Sequence, residues 1–530
     1  MSIRMDLNGS FYRPKWTCGR YDQQSQVAIF YNLIEGMCFF YEGISAEVVG
    51  CILNKKRNVA FDVEWLSKIS NVTVNSLTPF LVQLEQYGLL TRRIATNEDI
   101  AQYRRNLRNN RKQQVSDSVD ALHEMTIVGT ANAERMYMEK TKGVTSVMLE
   151  LTYRCSEMCI HCYNAGATRN SKEENLRGNR VELTLTDYKR IIDELADNGL
   201  IKVCLSGGDP FSKPIVWDII LYLYEKEIAT DIFTNGISVT DKVAQLADFY
   251  PRTLGISLYS DVAEVHDSIT RVKGSHDKTI SFIKECSNYA IPMLLKCCIM
   301  KLNVKTYYTV KDVAYKFGAL PQFDLNITDS VDGDKCASTN LRLGHEELEI
   351  VLRDKDLPYY ISDDGIKETV RIDNEIMCNA GHNTFCITPE GNLQPCCAFP
   401  LKIGNLKEHS LCEIVSDSNI LSWWRDKTIK DCEDCYKHPY CAYCQMCVGN
   451  NFIANGNPLS ASENNCFMAK ERYNLAVKMQ NGYDPLRKRS LQEALKDLHI
   501  ELHEIRRIPT VNHREDARIN GVSETIPITQ

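Results

Sequence analysis

The chain has 530 residues, 44% hydrophobic and 25% charged, with a formal net charge of −7. That length exceeds one ordinary domain, and the acidic balance argues against a nucleic-acid binder that works by neutralising phosphates. No apolar run approaches the roughly 18 residues of a membrane helix, and the opening "MSIRMDLNGSFYRPKW" lacks an apolar secretion core, so a cytoplasmic protein is expected.

Taken in order, residues 26–43, "QVAIFYNLIEGMCFFYEG", read as two short strands meeting at Glu35-Gly36. "ISAEVVGCILN", "FDVEWLSKIS" and "TVNSLTPFLVQLEQYGLL" follow with helical periodicity. Together they make a small winged-helix-like α+β unit over residues 1–96, expected to fold alone. The charged stretch 97–145, most basic at "QYRRNLRNNRKQQ", reads as a solvated linker helix.

From residue 146 the pattern becomes strand, loop, helix, repeated. Candidate strands are residues 146–152, 201–207, 229–236, 253–260, 292–300 and 323–328, separated by amphipathic segments such as "LTDYKRIIDELADNG". Six βα units predict a parallel sheet curled into a complete or partial barrel, with chemistry at the C-terminal strand ends. Residues 341–377 read as a connecting segment and 378–470 as a loop-rich, cysteine-dense domain. The region 471–530 reads as a charged helix, "DPLRKRSLQEALKDLHIELHEIRRI", with a polar tail.

The 22 cysteines separate into two kinds. Cys18, Cys38, Cys51, Cys204, Cys286, Cys297, Cys298, Cys336 and Cys412 are scattered and read as apolar filler. Others keep the short spacings of metal ligands. Just after the first barrel strand, "TYRCSEMCIHCYNAG" places Cys155, Cys159 and Cys162 in C-x3-C-x2-C. Three thiolates hold three corners of a cubane iron–sulfur cluster and leave one iron open; the alternative is a zinc site that borrows a ligand from elsewhere.

On this loop and its placement, the chain resembles the radical S-adenosylmethionine (SAM) superfamily, whose core is a partial (βα)6 barrel. The resemblance implies that Cys155, Cys159 and Cys162 hold a [4Fe–4S] cluster whose open iron binds SAM. Reductive cleavage then gives a 5′-deoxyadenosyl radical that abstracts hydrogen. "LSGGDPF" resembles the superfamily's GGEP-type element, which implies that Gly207, Gly208 and Asp209 receive SAM's ammonium group, with Asp in place of the commoner Glu. Ser257 and Asn303 fall where relatives touch SAM's ribose.

The C-terminal cysteine field contains C-x12-G-x4-C from Cys378 through Gly391 to Cys396, then C-x2-C-x5-C-x2-C-x2-C from Cys432 to Cys447, then Cys466. This resembles the SPASM domain, which binds two auxiliary [4Fe–4S] clusters, for three in all. The match implies one cluster on Cys432, Cys435, Cys441 and Cys466, and another on Cys378, Cys386, Cys396 and a later cysteine. The family's x3 spacing is missing, so Cys444 and Cys447 both stand for that last ligand. Sulfatase maturases share the architecture and place a basic aspartate where this chain has Cys397, which is thus a candidate base, further ligand or filler. The N-terminal unit resembles the leader-peptide recognition domain of ribosomal peptide biosynthesis, in which the leader adds as an extra strand.

The expected protein is a radical SAM maturase that cross-links a ribosomally made precursor peptide, through a thioether or a carbon–carbon or carbon–oxygen bond to an aromatic residue. A flavodoxin or ferredoxin would supply electrons, and neither nucleic acid nor membrane is an expected partner. The alternatives are a maturase that oxidises a residue of a partner enzyme, such as a sulfatase or dehydrogenase subunit, and an iron–sulfur regulator.

Overall fold

The computed structural model describes residues 9–117, 129–164, 182–331, 335–368, 370–432 and 434–501. It opens with β1 (Phe11–Tyr12), followed by the antiparallel meander β2 (Thr17–Asp22), β3 (Val27–Asn32) and β4 (Met37–Glu42). The sequence predicts two strands here and the structure has three. The extra one, β2, is the polar edge segment "TCGRYD", whose alternation is too weak to signal a strand. Its Gly19 lets β2 approach β3, since a Cβ there would lie 2.4 Å from the Ile29 carbonyl oxygen.

Three helices cover one face of this sheet: α1 (Gly43–Leu53), α2 (Val63–Ser70) and α3 (Val74–Gln86), with β5 (Ala60–Phe61) paired to β1. Ala28 and Phe30 pack there with Val49, Leu66, Leu81 and Leu84. The other face is equally apolar. Trp16, Ile29 and Tyr31 pack on Ile201, Ala229 and Tyr250 of the following domain. The unit therefore shares a core with the rest of the chain.

The basic segment forms α4 (Asn97–Asp117), and it is docked, not solvated. Arg104 donates to the Ala247 carbonyl (2.6 Å), and Arg111 to those of Ala290 (3.0 Å), Ile34 and Glu35 (3.2 Å each). On α5 (Gly129–Lys140), buried Glu134 accepts from the Tyr31 hydroxyl (3.1 Å) and pairs with Lys202 and Arg252.

Six parallel strands follow: β6 (Ser146–Thr152), β7 (Lys202–Gly207), β8 (Ala229–Thr234), β9 (Thr253–Ser257), β10 (Met293–Cys298) and β11 (Leu320–Asp324). Between them run α6 (Leu185–Asp197), α7 (Val216–Glu225), α8 (Val243–Asp248), α9 (Ala263–Thr270) and α10 (Ser275–Asn288), with α11 (Thr309–Phe317) before β11. α6 shows why they form. Thr184 and Asp187 make a reciprocal cap, and Tyr188, Ile191, Ile192 and Leu195 bury one stripe against the sheet. β11 lies earlier than the predicted 323–328 because it starts before Pro321. β11 is the outer strand, where a missing N–H need not break the ladder.

The strands do not close on themselves. β12 (Thr384–Ile387) of the cysteine-rich domain pairs in parallel with β6, and β13 (Asn392–Gln394) and β14 (Gly404–Asn405) extend the ladder. One nine-stranded sheet results, ordered β11-β10-β9-β8-β7-β6-β12-β13-β14. The partial (βα)6 barrel and the cysteine-rich domain are thus one continuous sheet.

The expected charged helix near the C-terminus is replaced by an 18-residue helix, Glu463–Gln480, and a short one, Leu491–Lys496. The latter tucks Ala494 and Leu495 into the core. Residues 502–530, the expected tail, lie outside the described residues. Among the described residues no helix is long and apolar enough to cross a membrane.

Candidate active site

Residues 153–164 leave the C-terminal end of β6 and carry the three clustered cysteines. The loop is braced on α9: Met158 N–H donates to the Thr270 carbonyl (3.0 Å) and Ile160 N–H to that of Ile269 (2.9 Å). From the other side it is held by the Gly-Gly-Asp turn after β7. Gly208 N–H donates to the Thr152 carbonyl (2.7 Å) and Asp209 N–H to that of Arg154 (2.9 Å). A Cβ on Gly208 would sit 2.4 Å from the Arg154 oxygen and 2.5 Å from that of Tyr153. Gly207 has φ +122° and would meet the Thr152 oxygen at 2.3 Å. Both glycines are needed so that the turn can press on the root of the cysteine loop.

Asp209 has a different setting from the one its motif implies. It is buried, with Oδ1 accepting from Phe211 N–H (2.9 Å) and Oδ2 from the Thr234 hydroxyl (2.7 Å) and Asn235 N–H (3.0 Å). Its visible work is to tie the turn to the end of β8. Asn303 departs further from the ribose position. It is fully buried, its amide donates to the carbonyls of Tyr259 (2.9 Å) and Cys298 (3.0 Å), and its oxygen accepts from Met300 N–H (2.8 Å). Those bonds join β9 to β10 and leave the side chain enclosed. Ser257 stays half-buried at the end of β9.

Burial pushes the Cys159 thiol well above its ordinary range, and Glu157, Cys162 and Cys155 add to the shift. Cys155 Sγ accepts from Glu157 N–H (3.4 Å) and from the Asn235 amide (3.5 Å), and the Tyr259 hydroxyl lies 3.8 Å from Cys159 Sγ. Asn235 and Tyr259 escape a sequence reading because only the fold brings β8 and β9 to the loop. Among the described residues no three Cys, His, Asp or Glu side chains gather at the spacing of a single metal ion. Three thiols on one short loop, with two N–H donors aimed at the sulfur of Cys155, fit three corners of a four-iron cubane.

The cysteine-rich domain holds two further groups. A small, partly open cavity is lined by Cys435, Cys441, Cys444 and Cys466, with Tyr436 and Tyr440 at its wall. Cys432 is buried next to it, and its hydrogen bond to Cys435 lowers the pKa of Cys435 while raising its own. The second group is Cys378, Cys396 and Cys447, coupled through their charges. Of the two cysteines that the spacing left open, Cys444 faces the first group and Cys447 the second. Cys397 Sγ lies 3.9 Å from Cys396 Sγ and keeps its proton, because its hydrogen bond to Cys396 and its burial raise its pKa. Cys386 is fully buried within β12, in register with Met148 and Gln394.

The cysteines read as filler are mixed in setting. Cys18, Cys38, Cys286 and Cys297 are buried, Cys51, Cys204 and Cys298 are half-buried, and Cys412 is exposed; the Cys336 side chain lies outside what is described. One carboxylate had no sequence signal at all. Glu150 of β6 is only 3% exposed, and its Oε2 accepts from the Tyr153 hydroxyl (3.2 Å). Burial first, then the charges of Glu390 and Cys396, push it up to about 7 against the hydrogen bond from Tyr153.

Comparison with known proteins agrees with this layout. The radical SAM superfamily model matches residues 149–311, and that of SPASM, an iron–sulfur cluster-binding domain, matches residues 378–447. The subtilosin biosynthesis protein AlbA of Bacillus subtilis is 27% identical over 64% of this chain and 76% of its own. The AdoMet-dependent heme synthase of Methanosarcina barkeri is 26% identical over 58% and 91%. The PqqA peptide cyclase of Rhodopseudomonas palustris is 24% identical over 33% and 44%. Among solved structures, Streptococcus suis SuiB bound to precursor peptide SuiA is 15% identical, covers 86% of this chain and 99% of its own, and superposes with a TM-score of 0.48. The chain is an enzyme with a radical SAM domain over residues 149–311 and a SPASM iron–sulfur cluster-binding domain over residues 378–447.

Proposed function

We propose that this enzyme installs an intramolecular cross-link in a ribosomally synthesised precursor peptide. The observation that carries the reading is the shared ladder: β6, which delivers the C-x3-C-x2-C loop, pairs directly with β12 of the cysteine-rich domain. Radical generation and electron removal would then be served by one sheet. Two relatives, a subtilosin biosynthesis protein and a PqqA peptide cyclase, carry peptide chemistry in their names.

A cubane and SAM, when bound, would supply radical hydrogen-abstraction chemistry. Cys155, Cys159 and Cys162 would hold that cluster, with Asn235 donating to Cys155 and the Gly207-Gly208 turn fixing the loop. We assign one auxiliary cluster to the cavity of Cys435, Cys441, Cys444 and Cys466, with Cys432 adjoining. The other falls to Cys378, Cys396 and Cys447, with Cys386 nearby. The leader adds as a strand to β4, whose outer edge carries no strand among the described residues. There Phe39 stacks on Tyr87 (4.4 Å) and Tyr41 meets Phe80 edge-on (5.7 Å), giving an aromatic wall against α3. Electrons come from a cytoplasmic flavodoxin or ferredoxin.

The test is anaerobic incubation of the iron-loaded protein with SAM, dithionite and a synthetic peptide encoded by any short cysteine- or aromatic-rich reading frame that adjoins the gene. The expected products are 5′-deoxyadenosine and a peptide lighter by two hydrogen atoms per cross-link. A thioether would also protect one peptide cysteine from iodoacetamide, whereas an aromatic carbon–carbon bond leaves it free. Stoichiometric zinc without iron would overturn the radical assignment, and an unchanged peptide mass would overturn the cross-link.

A further inference from the structure

Inside the curve of the parallel strands stands a cation that the chemistry above leaves unused. Lys296 of β10 is in register with Ser257 of β9 and Gln322 of β11. Its ammonium group reaches back over Phe233 of β8, 3.5 Å from the ring centroid. The strand between them offers Gly255, and a Cβ there would come within 2.6 Å of Phe233 Cδ1 and 3.0 Å of Lys296 Cδ. Side chains from the two flanking strands fill the space that this glycine leaves, so the phenyl wall and the lysine stem form a built cradle across three strands.

Lys296 is half-buried, and its ammonium group has no hydrogen bond or ion pair among the described residues. The acids on the neighbouring strands are already engaged. Asp231 pairs with Arg252, and Asp324 accepts from the Tyr359 hydroxyl (2.8 Å) and Asn326 N–H (2.8 Å). A half-buried ammonium resting on an aromatic face is only partly compensated by the ring. An incoming anion would supply the missing partner through a charge-assisted hydrogen bond.

Resting on the peptide-maturase reading, we propose that Lys296, walled by Phe233 and given room by Gly255, binds a carboxylate of the precursor peptide, either an Asp or Glu side chain or the C-terminus. The lysine would thus select a substrate with an acid near its reacting residue. Ser257, in register with Lys296, is a position where relatives touch SAM, so SAM's own carboxylate is the competing occupant and its affinity is measured as a separate arm.

The experiment uses the full-length, iron-loaded enzyme and the same synthetic peptide. Further versions of the peptide have each Asp changed to Asn, each Glu to Gln, or the C-terminus amidated. Equilibrium affinities for peptide and for SAM are measured separately. Lys296→Met should weaken peptide binding by about 10- to 100-fold, and Lys296→Arg should restore most of it. One of the peptide changes should weaken binding to the wild type by a similar factor and have little further effect on Lys296→Met, the signature of a direct pair. Peptide affinity equal to wild type in Lys296→Met, or a loss that falls on SAM affinity instead, would overturn the proposal. If the wild type makes no 5′-deoxyadenosine from SAM, the radical reading fails, and that result is separate from either binding outcome.

Discussion

Gly208 does its work through the absence of one methyl group. Its backbone lies so close to the carbonyls of Tyr153 and Arg154 that any side chain would push the cysteine loop away from β7. Gly208→Ala should therefore lower the iron content by about four atoms per chain, one cubane, and abolish 5′-deoxyadenosine formation, with the circular dichroism spectrum little changed. Iron assay and product chromatography check this. Glu150 supplies a pH test. With its carboxyl pushed up to about 7, the fold favours the neutral form. That stability is fully present below the ordinary carboxyl pKa and is lost as the pH rises through about 7, a change of about 3 kcal/mol. Glu150→Gln removes the titration, so it should raise the denaturation midpoint above that of the wild type at pH 8 and give no advantage at pH 5. The cysteine positions were legible in the sequence because ligand spacing is local. The settings of Asp209 and Asn303 were not, since partners on other strands decide what a strand-end side chain reaches.

At the scale of elements, the amphipathic helices and five of the six parallel strands followed from periodicity. The misses have a common cause. β2 is a polar edge strand, and β11 begins before a proline, so neither shows the apolar alternation of a buried strand. α4 was misjudged because its arginines dock on backbone carbonyls, and a carbonyl has no letter in the sequence. The double variant Arg104→Met/Arg111→Met tests that docking. Each lost charge-assisted bond leaves a carbonyl without its donor, at a cost of about 1–3 kcal/mol. The variant should be cut faster by trypsin within α4 and should melt at a lower temperature, and digestion time courses against wild type measure the difference.

Across the whole molecule, the boundaries read from composition divide what the sheet joins. Ending the chain at residue 377 would strip β12 from β6 and expose the free edge of a parallel sheet, so the truncated protein should aggregate where the full chain does not. Light scattering after expression decides it. The fragment 1–96 should behave similarly, because Trp16, Ile29 and Tyr31 would lose Ile201, Ala229 and Tyr250. A monomeric fragment with native-like dispersion in its amide spectra would show that the shared core is dispensable.

The pairing of Thr384 with Ser146 and of Ile387 with Leu149 also sets a rule for transplanting the cysteine-rich domain between relatives. A graft whose junction falls in the loop before residue 384 keeps the phase of the ladder, whatever the loop length. A single residue inserted between 384 and 387 turns Cys386 to the opposite face, and two residues carry it about 7 Å along the strand with its face unchanged. Natural exchange of such domains should therefore have left insertions and deletions outside this four-residue splice and almost none within it.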